Sequence, residues 1–219
     1  MGIALSLGNN LTTGGRFKAS AVNNTSCNNI TSFANINSNA GLILIQTQTA
    51  SATTNISFTT GLTSTYDMYI FKWFSCHPST DNVDWLVNFS TDGGSNYNVS
   101  KQTTFFAAYL TESDTSPTLT YAGSNDLTNG TGYQMLNDGV GADNDQHTSG
   151  YLELYNPSSA TYVKQFMARS QRSYYLDYSI DDNVAGYANT TSAINAVDFK
   201  FESGNIDSGT ISLYGVKKS

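Results

Sequence analysis

Charge is scarce in this 219-residue chain: ten Lys and Arg, seventeen Asp and Glu, and two His, for a formal net charge of −7. A duplex nucleic-acid binder needs a basic face to displace counterions. The only basic pair is the terminal Lys217-Lys218, so nucleic acid is excluded as a partner. Long apolar runs are missing too. The longest, Gly41-Leu-Ile-Leu-Ile45, falls far short of the ~20 residues of a spanning helix, so membrane insertion is not expected. The opening MGIALSLGNN lacks the basic region, apolar block and cleavage site of a secretory signal. Gly2 and Ser6 match a myristoylation pattern, but no basic cluster follows to supply a second membrane signal, and lipidation is not expected.

Cysteine is equally sparse. Cys27 and Cys76 could form one disulfide, but a pair does not make a disulfide framework. With His77 and His147 they are the soft metal ligands, and no C-x-x-C or H-x-x-x-H spacing joins them, which excludes a zinc site. No G-x-S-x-G elbow and no recognisable nucleophile–base pair is present. Glu112, Asp114, Glu153 and Glu202 offer carboxylates for glycoside hydrolysis, as any acidic chain does. The expectation is no enzyme and no cofactor.

What fills the chain instead is Ser, Thr, Asn and Gly, with 14 Tyr and 11 Phe among the large apolar residues. Sequons recur at Asn24, Asn29, Asn55, Asn88, Asn98, Asn129 and Asn189, as such a composition produces by itself. Aromatic and β-branched side chains suit a pleated, half-buried surface. Residues 1–40 have scattered apolars and no sustained period, and read as an irregular arm or attachment segment. From 41 to 219 the text is strands and turns. Val83, Trp85, Val87 and Phe89 alternate strictly, the mark of a half-buried antiparallel strand. Further runs lie at 42–48, 55–59, 66–75, 101–109, 151–155, 162–170, 174–180, 193–201 and 209–216, separated by turn clusters at 112–117, 123–132, 137–150 and 156–159. Ala185–Asn195 is the best candidate for a short helical turn. About ten strands at this spacing predict an all-β fold, an antiparallel β-sandwich of jelly-roll type with two sheets of four or five strands.

Three loops carry candidate chemistry. Asn88-Phe-Ser-Thr-Asp-Gly-Gly-Ser-Asn-Tyr-Asn-Val-Ser100 has neither the Lys and helix of a phosphate loop nor the Glu of a calcium loop. Asp92-Gly93 is a hairpin dipeptide, so this loop is read as a turn whose tip, Asp92 to Asn96, is a contact surface. In the loop 137–147, Asp138, Asp143 and Asp145 with the Asn144 and Gln146 carbonyls could give calcium several oxygen ligands. The same residues form Asx turns without any ion, and that is the preferred reading. Asp181-Asp182 is a weaker case. In Arg169–Tyr178, exposed Tyr174 and Tyr175 beside Arg, Gln and Asp could stack on and hydrogen-bond a sugar. Tyr174, Leu176 and Tyr178 are also the alternate positions of one strand facing a core or a subunit partner, and that reading is favoured.

Ser64-Thr-Tyr-Asp-Met-Tyr-Ile-Phe71, His77-Pro-Ser-Thr-Asp-Asn82, Ser90-Thr-Asp-Gly-Gly-Ser-Asn-Tyr97 and Gly209-Thr-Ile-Ser-Leu-Tyr-Gly-Val216 together resemble small virion surface and tail-fibre-type proteins of tailed bacteriophages of aquatic hosts, cyanobacterial phages included. The resemblance spans about 41–216 and rests on structural motifs, so no active-site residue carries over. It implies a non-enzymatic structural protein of the virion: a tail-associated fibre or knob exposed to the host surface, or a capsid decoration protein. It also implies other virion proteins as partners, a homotrimer by analogy with phage fibres, and a host surface glycan as a ligand. A carbohydrate-binding module is the reading from another class.

Overall fold

The computed structural model of the chain describes residues 41–113, 115 and 117–216. The arm at 1–40 with Cys27, Asp114 in the 112–117 turn and Lys217-Lys218 lie outside the described residues, and the readings made on them stand there as expectations. Every described residue belongs to one folded unit, Ala40–Ser219.

Thirteen strands form an all-antiparallel sheet nearly closed into a barrel-like sandwich. They are β1 (Leu42–Thr53), β2 (Ile56–Phe58), β3 (Met68–Pro78), β4 (Val83–Ser90), β5 (Lys101–Thr111), β6 (Thr118–Tyr121) and β7 (Thr128–Gly130), then β8 (Gln134–Val140), β9 (Thr148–Tyr155), β10 (Lys164–Tyr174), β11 (Tyr178–Ala188), β12 (Ala196–Phe201) and β13 (Ile206–Val216). The order β1-β13-β3-β9-β10-β8-β4-β12-β2 runs almost full circle. Between its ends, Gln48 Nε2 donates to the Ser57 carbonyl at 2.8 Å, where a backbone ladder would complete the closure. A second branch leaves β10: β11 pairs with β10, β5 with β11, and β6 and β7 with the far side of β5.

Alternation along the strands builds the core. Val83, Trp85, Val87 and Phe89 of β4 point inward, as their spacing predicts, against Phe71 and Trp73 of β3 and Phe199 of β12. Trp85 stacks on Phe199 at 5.9 Å between centroids, and Phe58 meets Phe71 edge-on at 5.3 Å. Such pairs contribute about 0.5–1.5 kcal/mol beyond the area they bury. Along β10 the inward positions change character, from Phe166 and Ala168 to Ser170, Arg172 and Tyr174. The core thus turns polar towards one end, and the candidate site lies there.

Four local expectations need correction. Ala185–Asn195 holds no helical turn: Ala185–Ala188 lie in β11, flanked by β10 and β5, and two ladders outweigh a weak helical pattern. Tyr174–Ile180 is not one strand. The chain reverses at 175–177, with Tyr174 paired to Tyr178 and Asp177 in the left-handed region at φ 61°. This is a three-residue hairpin loop with its last residue at positive φ. The Asp92 loop is not a hairpin between paired strands either. β4 pairs with β12 and β8 while β5 pairs with β11, β6 and β7, so residues 91–100 carry the chain from one branch to the other. Finally, the described residues form thirteen strands in one connected sheet, not about ten in two sheets of four or five: β6, β7 and β8 occupy polar segments taken for turns or left unread, and β10 pairs with both branches and joins them. Cys76 is a free, buried thiol.

Candidate ligand-binding cleft

Strand register fixes which loops share an end of the sandwich. Val140 pairs with both Val83 and Tyr174, and Thr111 pairs with Tyr178. The start of β4, the end of β5, the end of β8 and the β10–β11 turn therefore meet. Ser90 pairs instead with Ala196, and Lys101 with Ala188, at the opposite end. Glu112 and the 141–147 loop thus flank Tyr174–Asp177, whereas Asp92 and Asn96 sit at the far end.

Where the second branch leaves β10, a cleft of 270 Å³ opens. Its floor is Phe105, Ala107 and Ile180, inward residues of β5 and β11. Tyr109, Tyr174 and Tyr178, all half-buried, form its aromatic wall. Tyr109 and Tyr178 lie nearly parallel, 12° apart with centroids at 6.2 Å, and Tyr174 leans on Tyr178 at 5.4 Å. Tyr175 backs Tyr174 at 4.5 Å. Thr120, Asn125 and the exposed Asp138 supply polar groups around the opening. Gly139 admits Tyr174: at φ 66°, a Cβ there would come within 2.6 Å of the tyrosine ring.

Beneath the wall runs a buried polar chain. Trp73 Nε1 donates to Thr148 Oγ1 at 3.2 Å, and Thr148 donates to Asn137 Oδ1 at 2.5 Å. Asn137 Nδ2 donates to Ser170 Oγ and Asp182 Oδ2, each at 2.8 Å. Arg172 closes the chain with Nε on Asp182 Oδ2 at 2.6 Å, its guanidinium 5.0 Å from the centre of the Tyr174 ring. Arg172 lines the cleft although only 4 % of it is exposed. Its Nη1 and Asp182 Oδ1 have no hydrogen-bond partner among the described residues. An unmet buried group costs about 1–3 kcal/mol, more when charged.

Burial pushes the Asp182 carboxyl up against the opposing pull of Arg172 and Asn137. Burial, then the Tyr175 hydroxyl and the Asp138 charge, raise the Tyr174 phenol to about 12. Nearby Asp84, which accepts from the Gly139 N–H at 3.0 Å, is raised to about 6 by burial and then by Asp138 and Glu202.

Of the residues singled out from sequence, Asp138, Tyr174 and Tyr175 come together here. Asp143 and Asp145 do not join them. They are exposed on a loop held by Gln146 N to Asp143 O at 2.8 Å and Ala142 N to Asp81 Oδ1 at 3.0 Å. His77 and His147 each place a ring nitrogen on a carbonyl of that loop, Asp143 at 3.2 Å and Asp145 at 3.3 Å. Asp145 lines a separate depression with Glu112 and Asp177. No group of three His, Cys, Asp or Glu placed to hold a metal ion occurs among the described residues.

At the far end, Asp92 accepts from Ser90 Oγ at 2.6 Å, from the Asn96 N–H at 2.9 Å and from Asn96 Nδ2 at 2.7 Å. The Ser90 and Asn96 bonds hold its carboxyl down at about 2. Asp92 and Asn96 are exposed, but their polar groups fasten their own turn.

Asp181 and Asp182 part company, as strand neighbours must. Asp181 faces out in a forked pair with Arg169, and Asp182 faces in. Sequence reading missed Tyr109, Asn137 and the inward roles of Arg172 and Asp182. Alternation in β5 would have grouped Tyr109 with Phe105 and Ala107, but no local signal says that β5 lies beside β11. Comparisons of the chain with protein-family models, with curated proteins and with solved structures give no match.

Proposed function

We propose that this chain is a non-enzymatic structural protein of a phage virion, a tail-associated fibre or knob that meets the host surface with the end of the sandwich where the cleft opens. One observation carries the contact role: Tyr109, Tyr174 and Tyr178 stand half-buried around an open cleft instead of being sealed in the core. Amphipathic rings so placed are the usual currency of recognition surfaces. The virion setting comes from the sequence resemblance. In this reading Glu112 and the 141–147 loop border the contact end, the Asp92 turn faces away from the host, and a homotrimer arrays three clefts beside other virion proteins.

A decoration role is the second reading, favoured by β1. Its twelve residues, LILIQTQTASAT, carry no charge and no proline. Such an edge invites strand addition from a neighbouring chain.

Immunogold labelling of intact particles with antibody against this chain tests both. Gold on the tail supports the knob, and gold spread over the head supports decoration. Particles that never carry gold would refute a virion protein.

A further inference from the structure

Resting on that contact role, we infer that the cleft takes one uncharged pyranose ring, the terminal sugar of a surface glycan. A pyranose has apolar C–H faces and a hydroxyl-bearing edge. The cleft has the matching division, with an apolar floor at Phe105, Ala107 and Ile180, a tyrosine wall, and polar groups at Thr120, Asn125 and Asp138. Aromatic faces suit the C–H face, and the polar groups suit the hydroxyls.

Size argues for a single ring. At 270 Å³ the cleft lies just below the ~300–1,000 Å³ of cavities that enclose drug-sized ligands. Charge argues for a neutral one. Arg172 is neutralised by Asp182 at 2.6 Å, which leaves the exposed Asp138 as the unpaired charge among the described residues that line the cleft. An acidic sugar would meet that carboxylate, whereas a hydroxyl can donate to it. Arg172 backs the cleft from beneath, 4 % exposed, with its guanidinium 5.0 Å from the centre of the Tyr174 ring and its Nη1 closed to solvent. The tyrosine hairpin is also held rigidly, since β10 and β11 pair without a break from Lys164↔Ala188 to Tyr174↔Tyr178. A preformed wall loses little freedom on binding.

Saturation-transfer NMR of the full chain tests this with methyl glycosides of glucose, galactose, mannose and N-acetylglucosamine, and with methyl glucuronoside. At least one neutral glycoside should receive saturation, and the glucuronoside should bind more weakly than the glucoside. Tyr178→Ala should weaken binding by roughly two- to tenfold, the loss of a ring contact. Asp138→Asn, a change at an exposed position, should erase the preference for neutral over acidic sugar while the far-UV spectrum stays unchanged. Leu119→Ser, on the outer face of β6, should change nothing. No saturation of any neutral glycoside, equal or tighter binding of the glucuronoside, or full affinity in folded Tyr178→Ala would each overturn the inference. Should Tyr178→Ala fail to fold, Asp138→Asn decides alone, and an unchanged preference in it counts against. Sugar binding without gold on the tail would leave this inference standing and remove the knob. Gold on the tail without sugar binding would do the reverse.

Discussion

Arg172 donates its Nε–H to the Asp182 carboxylate across 2.6 Å inside the sandwich, with 4 % and 0 % of the two side chains exposed. The pair joins β10 to β11 under the tyrosine wall and anchors the end of a polar chain that begins at Trp73. Desolvating two charges offsets much of their attraction, and breaking such a pair from one side leaves an uncompensated buried charge. Arg172→Leu or Asp182→Leu alone should therefore lower stability by about 3–5 kcal/mol. The double variant should unfold at a urea concentration closer to wild type than either single one. Additive losses across the cycle would show that the pair is not coupled.

Asp84 should make stability depend on pH. Burial raises its carboxyl from 3.8 to about 6, so the folded chain keeps this proton between about pH 4 and 6, where the unfolded chain has released it. The contribution is present in full below pH 4 and is lost as pH rises through 6. Asp84→Asn, which can still accept from the Gly139 N–H, should remove that fall. Urea midpoints at pH 4, 5, 6 and 7 for both proteins provide the check, and parallel curves would remove Asp84 from the explanation.

Lys101 should act in a higher window. Its side chain is fully buried, donating Nζ to Asn88 Oδ1 at 2.5 Å and to the Val99 carbonyl at 2.7 Å, with no carboxylate partner among the described residues. Desolvation lowers it from 10.5 to about 7. Between these values the unfolded chain binds the extra proton, so stability should rise with pH from about 7 towards 10. Lys101→Met should flatten this rise in Tm between pH 7 and 9.5, although it also leaves two acceptors short of a donor.

Gly139 should tolerate no side chain. At φ 66° a Cβ would press to 2.6 Å from Tyr174 Cε2 and 2.9 Å from Asn82 Oδ1. Gly139→Ala is expected to cost about 1–3 kcal/mol through backbone strain and overpacking. It should also disturb the near-UV circular dichroism by shifting the Tyr174 ring. An unchanged spectrum at wild-type stability would mean that this end of β8 is more compliant than its geometry.

Cys76 should be inert until the sandwich opens. Burial pushes its thiol up to about 12, and the thiolate is the reactive form. In the full chain carrying Cys27→Ser, a colorimetric thiol reagent at pH 8 should label no sulfur in native buffer. In denaturing urea it should label one per chain. Rapid native labelling would place Cys76 at an accessible surface.

Much of the architecture was legible in the residues. Val83, Trp85, Val87 and Phe89 declare an inward face by alternation alone, because a strand sends neighbours to opposite sides and only one side is dry. The same rule, applied to β10, separates Arg169 from Arg172. The cleft was legible in part. Tyr174, Tyr175 and Asp138 drew attention as polar or aromatic residues in turn-rich text, yet for separate reasons and as members of separate sites. The Asp92 turn drew equal attention and proves self-contained, since Ser90 and Asn96 take up its carboxylate.

Read along the chain, the residues already specify an all-β fold, the alternating faces of its strands and an acidic, hydroxyl-rich composition, because period and composition are local properties. Packing of the whole sheet sets the rest: that β10 forks, that β5 lies beside β11, and hence that Tyr109 stands against Tyr178 while Asp92 is sent to the other end. Strand pairing is settled by which ladders and packed faces satisfy the whole sheet together. Residues 69 positions apart, such as Tyr109 and Tyr178, carry no local sign of that choice.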